Sequence, residues 1–170
     1  RANLPPDLED RPWDNLDFLG WRDPKAPTRA YLVAVRDGSA RGIGLRLGEA
    51  GRGRRKTMCD LCLTVGAVAL MVAPRAGKAG QNGNTVGAYI CTDLDCSLFA
   101  RNIRSNGTVV MEERLSVEQK VERLVDNLDG FLELRLVALL HKHRHGPRTL
   151  PAPEVVRMAT VGGAHALGLG

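Results

Sequence analysis

Cys59-Asp60-Leu61-Cys62 and, after the intervening residues 63–90, Cys91-Thr92-Asp93-Leu94-Asp95-Cys96 are the two stretches that decide the fold. They hold all 4 cysteines of a 170-residue chain. Two tight pairs separated by a long insertion suit a tetrahedral zinc ion, because each pair delivers two thiolates from one backbone turn. Four thiolates leave no coordination position for water or substrate, so the reading is a structural staple in a binding protein rather than a catalytic metal. Two disulfides are the first alternative, and they require an oxidising compartment. A redox Cys-x-x-Cys is the second, but it belongs at the start of a helix within a βαβ unit. Here Cys62 is followed by a strand-like run, Val65-Gly66-Ala67-Val68-Ala69-Leu70-Met71-Val72.

Working outward, Val65–Ala73 and Thr85–Ile90 read as a hairpin between the cysteine pairs, joined by a glycine-rich tip with Arg75 and Lys78. The Gly77-Lys78 pair is no phosphate loop, since Ala79 stands where Ser or Thr belongs and no helix is expected to follow. Cys96 to Arg104 reads as a short helix ended by Asn106-Gly107, its positive N-terminal end beside the thiolates. Knuckle, hairpin, knuckle and helix is the order of a treble-clef zinc finger, with a finger core over 57–106.

Upstream, Arg29–Arg36 and Ile43–Leu47 flank Asp37-Gly38, a hairpin signal with Ile43, Leu45 and Leu47 inward. The basic link Gly51-Arg52-Gly53-Arg54-Arg55-Lys56 runs into Cys59 and is the densest anion-attracting patch. Residues 1–12 read as an extended arm. Trp13, Phe18 and Trp21 read as a loop or short helix capping the core. Downstream, Val109–Met111 suggests a short strand, and Ser116-Val117-Glu118-Gln119 a capping box opening a long helix over 116–144. Its apolar stripe runs through Val117, Val121, Leu124, Leu128, Phe131 and Leu132. The expected fold is thus α+β, with β-hairpins packed against the long helix in a domain over 13–140 and a basic, flexible tail over 141–170.

Composition bounds the function. A net charge of +5 favours polyanionic or acidic partners, among them RNA and the ribosome surface. No apolar run is long enough to span a bilayer and no charged-then-apolar leader opens the chain, so the expectation is a soluble, cytoplasmic monomer. The 4 histidines and the absence of a nucleophile–base pattern point away from an enzyme.

Leu19-Gly20-Trp21-Arg22-Asp23-Pro24, Cys59-Asp60-Leu61-Cys62 and Gly83-Asn84-Thr85-Val86-Gly87-Ala88-Tyr89-Ile90-Cys91-Thr92-Asp93-Leu94-Asp95-Cys96-Ser97 together resemble the elongation factor G-binding proteins, which include the FusB-type fusidic-acid-resistance proteins. The resemblance covers roughly residues 14–140. It implies a cytoplasmic bacterial protein that binds elongation factor G and promotes its release from the ribosome, with Cys59, Cys62, Cys91 and Cys96 on one zinc and Tyr89 as an aromatic contact. The helical N-terminal domain of the resistance proteins is missing, which makes attachment to the translation machinery a firmer expectation than antibiotic resistance. Arg54, Arg55, Lys56, Lys78, Arg101 and Arg104 are the candidate steering residues toward an acidic partner surface. Direct docking on ribosomal RNA, without elongation factor G, is the alternative.

Overall fold

The computed structural model describes residues 2–36, 38–48, 55–105 and 113–145, and the side chains of all of these except 55, 79 and 134–145. Among them, six strands form one sheet: β1 (Leu19–Arg22), β2 (Arg29–Arg36), β3 (Ser39–Leu47), β4 (Arg55–Met58), β5 (Val65–Pro74) and β6 (Thr85–Cys91). The order is β1-β2-β3-β5-β4, with β6 also paired to β5. Three helices follow the chain: α1 (Lys78–Gln81), α2 (Cys96–Ala100) and α3 (Val117–His145). The mixed, strand-rich fold agrees with the α+β treble-clef expectation.

Pairing follows from side-chain alternation. β2 buries Ala30, Leu32 and Ala34 and turns Tyr31, Val33 and Val35 outward; β3 answers with Ile43 and Leu45 inward and Gly42, Gly44 and Arg46 outward. The register runs from Arg29↔Arg46 to Arg36↔Ser39, so the two strands are joined where the sequence placed the hairpin, Asp37 itself lying outside the described residues. Gly38 sits at φ +71°, a conformation that glycine adopts without steric cost. Leu47, expected inward, is half-buried at the strand end.

The chain forms two compact units. The larger comprises residues up to Ala73 together with Val86–Phe131, and it holds the buried core. Leu32, Leu45, Met71, Ile90, Leu124 and Leu128 are all fully buried there, each contributing roughly 1.5–3 kcal/mol of burial. Aliphatic side chains do this work because the chain has 3 phenylalanines, of which Phe18, Phe99 and Phe131 are all buried. The other unit comprises Pro74–Thr85 and the chain from Leu132 onward. In it the glycine-rich tip carries α1, a single turn that the sequence did not announce. Gly80 belongs to that turn by necessity, since a Cβ there would lie 1.7 Å from the Arg75 carbonyl oxygen.

α3 opens on the expected capping box. The Ser116 backbone N–H donates to Gln119 Oε1 at 2.9 Å, and the Gln119 N–H donates to Ser116 Oγ at 3.3 Å, satisfying two orphan helix donors reciprocally. Leu124, Leu128 and Phe131 are buried, whereas Val117 is exposed at the helix start. Two polar contacts fix this face: Asn127 Nδ2 donates to the Leu61 carbonyl at 2.9 Å, and Arg36 Nε to Asp129 Oδ1 at 2.8 Å.

α2 ends earlier than expected. Asn102 takes φ +57°, the Ile103 N–H bonds the Leu98 carbonyl, and the Asn102 N–H bonds the Phe99 carbonyl, both at 3.0 Å. This is a left-handed Schellman ending with Asn in the usual glycine position, so Asn102 stops the helix four residues before Asn106. Asn106-Gly107, the Val109–Met111 strand and the tail beyond His145 lie outside the described residues.

Residues 2–12, expected as an arm, lie against the strands. Trp21 Nε1 donates to the Asn3 carbonyl at 2.8 Å, and Asn3 Nδ2 donates to Asp23 Oδ1 at 2.9 Å. Of the aromatic cluster, Phe18 and Trp21 are buried, while Trp13, in a single 3-10 turn (Trp13–Asn15), is half exposed. No helix among the described residues is long and apolar enough to cross a membrane.

A four-thiolate metal centre and its surroundings

The four sulfurs converge. Cys59, Cys62, Cys91 and Cys96 are all buried, and their Sγ atoms all lie within 4.8 Å of one another. Cys59 and Cys96 are 3.7 Å apart and Cys62 and Cys91 3.6 Å, far beyond a disulfide bond of about 2.05 Å. A zinc ion with Zn–S bonds of about 2.3 Å sets its thiolates about 3.8 Å apart along a tetrahedral edge. The cavity therefore fits one structural zinc, held by these four residues.

Electrostatics agree. Hydrogen bonding from Cys59 first, then Cys91 and Cys96, holds Cys62 far below the ordinary thiol value. Cys91 and Cys96 are pushed far above it, by Cys59 and then Cys62, with burial adding to both. Four buried sulfurs this close cannot all ionise unaided; a divalent cation removes the conflict.

Local backbone explains how the sulfurs are aimed. In the first knuckle, Leu63 takes φ +57°, its N–H bonds the Cys59 carbonyl, and the Cys59 N–H returns to the Thr64 carbonyl, each at 3.0 Å. In the second, Leu94 takes φ +63° and its N–H bonds the Cys91 carbonyl at 3.0 Å. Leucine is rarely left-handed, at about 1–2 kcal/mol per residue, so both knuckles store strain to reverse the chain. Gly20 makes the second possible, because a Cβ there would stand 2.6 Å from Leu94 Cβ.

The second knuckle is braced by charge. Asp95, buried and capping α2 without a side-chain cap bond, receives Arg11 Nη1 at 3.5 Å and also pairs with Arg104. Arg104 reaches Asp93 at 3.7 Å and lies 5.9 Å over the Phe99 ring. Arg101 forks onto Asp17 at 2.6 and 2.8 Å, and Asp17 in turn raises the Arg101 pKa. Both arginines, candidates for partner steering, thus have internal carboxylate partners.

The remaining candidates divide. Tyr89 lies half-buried on β6, its N–H donating to Asp60 Oδ2 at 2.6 Å while its carbonyl accepts the Asp60 N–H at 2.7 Å. Lys56 is exposed on β4, opposite Ala67. Lys78 is exposed on α1, in the other unit. Arg55 opens β4 opposite Val68, with its side chain outside the described residues, as is the whole of Arg54.

Sequence reading missed Asp60, Asn127, Asp17 and Gly20. Asn127 carried a signal, being a polar residue wedged between Leu124 and Leu128 on the apolar stripe. The other three carried none, because their partners lie far along the chain.

A model of the family described as "FBP C-terminal treble-clef zinc-finger" matches residues 1–134. Short stretches also match curated deaminases. The 5'-deoxyadenosine deaminase of Methanosarcina acetivorans is 57% identical over 44 residues, 25% of this chain and 10% of that protein. The 5-methylthioadenosine/S-adenosylhomocysteine deaminase of Thermococcus onnurineus is 56% identical over 45 residues, 26% of this chain and 11% of its own. The chain thus spans about a tenth of the length of these relatives.

Proposed function

Since the chain belongs to the FBP C-terminal treble-clef zinc-finger family, we propose that it is a non-catalytic, cytoplasmic binding protein that grips the translocase elongation factor G. By holding one conformational state of its partner it would favour departure of the factor from the ribosome, the activity that confers fusidic-acid resistance in FusB-type relatives. The observation that carries this reading is the mounting of Tyr89. It projects from the strand that ends in a zinc ligand, and its backbone is clamped on both sides of the peptide by Asp60 of the opposite knuckle. The metal and the Asp60 clamp together fix an aromatic anchor before the partner arrives, which reduces the ordering cost of binding. Lys56 and Lys78 supply exposed positive charge for steering. Filling all four coordination positions with thiolates supports a non-catalytic role.

The test is capture of purified elongation factor G by the immobilised chain, with Tyr89→Ala and Lys56→Gln as variants. Tyr89→Ala should weaken capture at least about tenfold, as loss of an aromatic hot spot does, while leaving zinc content at one per chain. Failure of the unaltered chain to retain the factor at low salt would refute the reading.

A further inference from the structure

The six strands contain no aspartate or glutamate, yet they carry Arg22, Arg29, Arg36, Arg41, Arg46, Arg55 and Lys56. Arg29 and Arg46 are direct cross-strand partners, both exposed. Like charges placed opposite one another destabilise a sheet, and neither side chain has a hydrogen bond or ion pair among the described residues. The acid nearest Arg29 in sequence, Asp23, is occupied: its carboxylate accepts from Asn3, from the Lys25 and Ala26 N–H groups and from the Tyr31 hydroxyl. Two paired guanidiniums with no carboxylate partner among the described residues form a clasp suited to an external anion.

What continues from the clasp is flat and apolar. On the same face come the pairs Tyr31↔Gly44, Val33↔Gly42 and Val35↔Ala40, with Val35 62% exposed. A Cβ on Gly44 would lie 3.8 Å from Tyr31 Cε1, so the ring lies over the glycine rather than standing off the sheet. It is fixed there by its hydroxyl, 3.2 Å from Asp23 Oδ2, and by Trp21, whose ring centroid is 5.1 Å away. Each step along this stripe covers two residues, about 6.8 Å of strand, comparable to the phosphate spacing of an extended single strand.

We propose that this face of the β1-β2-β3 sheet binds single-stranded RNA, with a backbone phosphate held between Arg29 and Arg46 and an unpaired base stacked on Tyr31. Sheet surfaces that present a pre-set aromatic beside arginines bind unpaired bases by stacking and phosphates by charge. The site is independent of the factor-binding reading, because it uses neither Tyr89, Lys56 or Lys78 nor any residue of the finger core over 57–106.

The test is fluorescence anisotropy of the full zinc-loaded chain with a labelled 12-nucleotide unstructured RNA across a salt series. Arg29→Gln with Arg46→Gln should weaken binding at least about tenfold and flatten the salt dependence by about 0.7 in log–log slope, the value for one phosphate on a single strand. Tyr31→Leu should cost about 5- to 150-fold and Tyr31→Phe much less, as stacking on the ring requires. Val35→Asp, at an exposed position where folding is not at stake, should also weaken binding. A control that removes two charges elsewhere, Lys25→Gln with Arg114→Gln, should change affinity less than threefold. Equal losses in the two double variants would overturn the site, as would unchanged binding in Val35→Asp and Tyr31→Leu together. Loss of elongation factor G capture with RNA binding intact would assign the face to protein instead and likewise overturn it.

Discussion

The two knuckles deliver the same pair of thiolates by different means. Cys59 to Cys62 is a short turn held by hydrogen bonds to remote residues: Asp60 is locked to Tyr89, and the Leu61 carbonyl is capped by Asn127. Cys91 to Cys96 is a longer turn held by charge and close packing: Asp95 lies between Arg11 and Arg104, and Leu94 is seated on Gly20. Each contains a left-handed leucine, but Leu63 is half-exposed and Leu94 is buried. Both turns close on a local backbone bond and lean on remote residues; the short one is held there by hydrogen bonds, the longer one by ion pairs and close packing.

The comparison breaks most completely if the metal is removed. Structural zinc contributes about 10–16 kcal/mol to the folding of zinc-finger peptides. Chelation, or Cys62→Ser and Cys96→Ser alike, should abolish the cooperative thermal transition seen by circular dichroism; a surviving transition would show that the knuckles stand without metal. Next, the two leucines should separate. Leu94→Gly relieves backbone strain but empties a buried site and should lose about 3 kcal/mol in urea unfolding. Leu63→Gly, with less burial to lose, should stay within about 0.5 kcal/mol of the parent. Similar losses at both positions would mean that the knuckles are held alike.

Gly20→Ala forces a methyl against Leu94 and should cost about 2 kcal/mol, with faster zinc transfer to a colorimetric chelator. Asp60→Ala, on the other knuckle, should cost only about 1 kcal/mol, its main effect falling on Tyr89-dependent binding. The smallest effect lies outside both knuckles. Burial opposes ionisation of Asp23, but hydrogen bonds from the Lys25 N–H, Asn3 and Tyr31 outweigh it and leave its pKa below the ordinary carboxylate value. A depressed carboxylate contributes stability above its unfolded pKa and loses it as pH falls through the folded one. Melting temperature should therefore decline below about pH 4, and less steeply in Asp23→Asn.

Local signals explain what was readable in the sequence. Cysteine spacing, the hairpin signal between β2 and β3, strand alternation in β3 and the Ser116–Gln119 box each specify structure within a few residues, and the structure contains all of them. The reading failed where a partner is remote or a residue acts out of type. Arg101 and Arg104 counted as basic surface because nothing in a linear chain pairs Arg101 with Asp17, 84 residues away. Asn102 ended α2 in a role usually given to glycine, and Asn106-Gly107 offered a stronger but later stop signal. The cross-strand Arg29↔Arg46 pair became visible only once the register was known.

The bond from Asn127 to the Leu61 carbonyl also sets a timetable. A ribosome releases the chain from its N-terminus, and Cys96 precedes Asn127 by 31 residues. All four sulfurs exist before the helix residue that caps the first knuckle has been made. The growing chain can gather its four sulfurs outside the ribosome while α3 is still inside it, and the helix then arrives at a carbonyl whose direction the metal has already set.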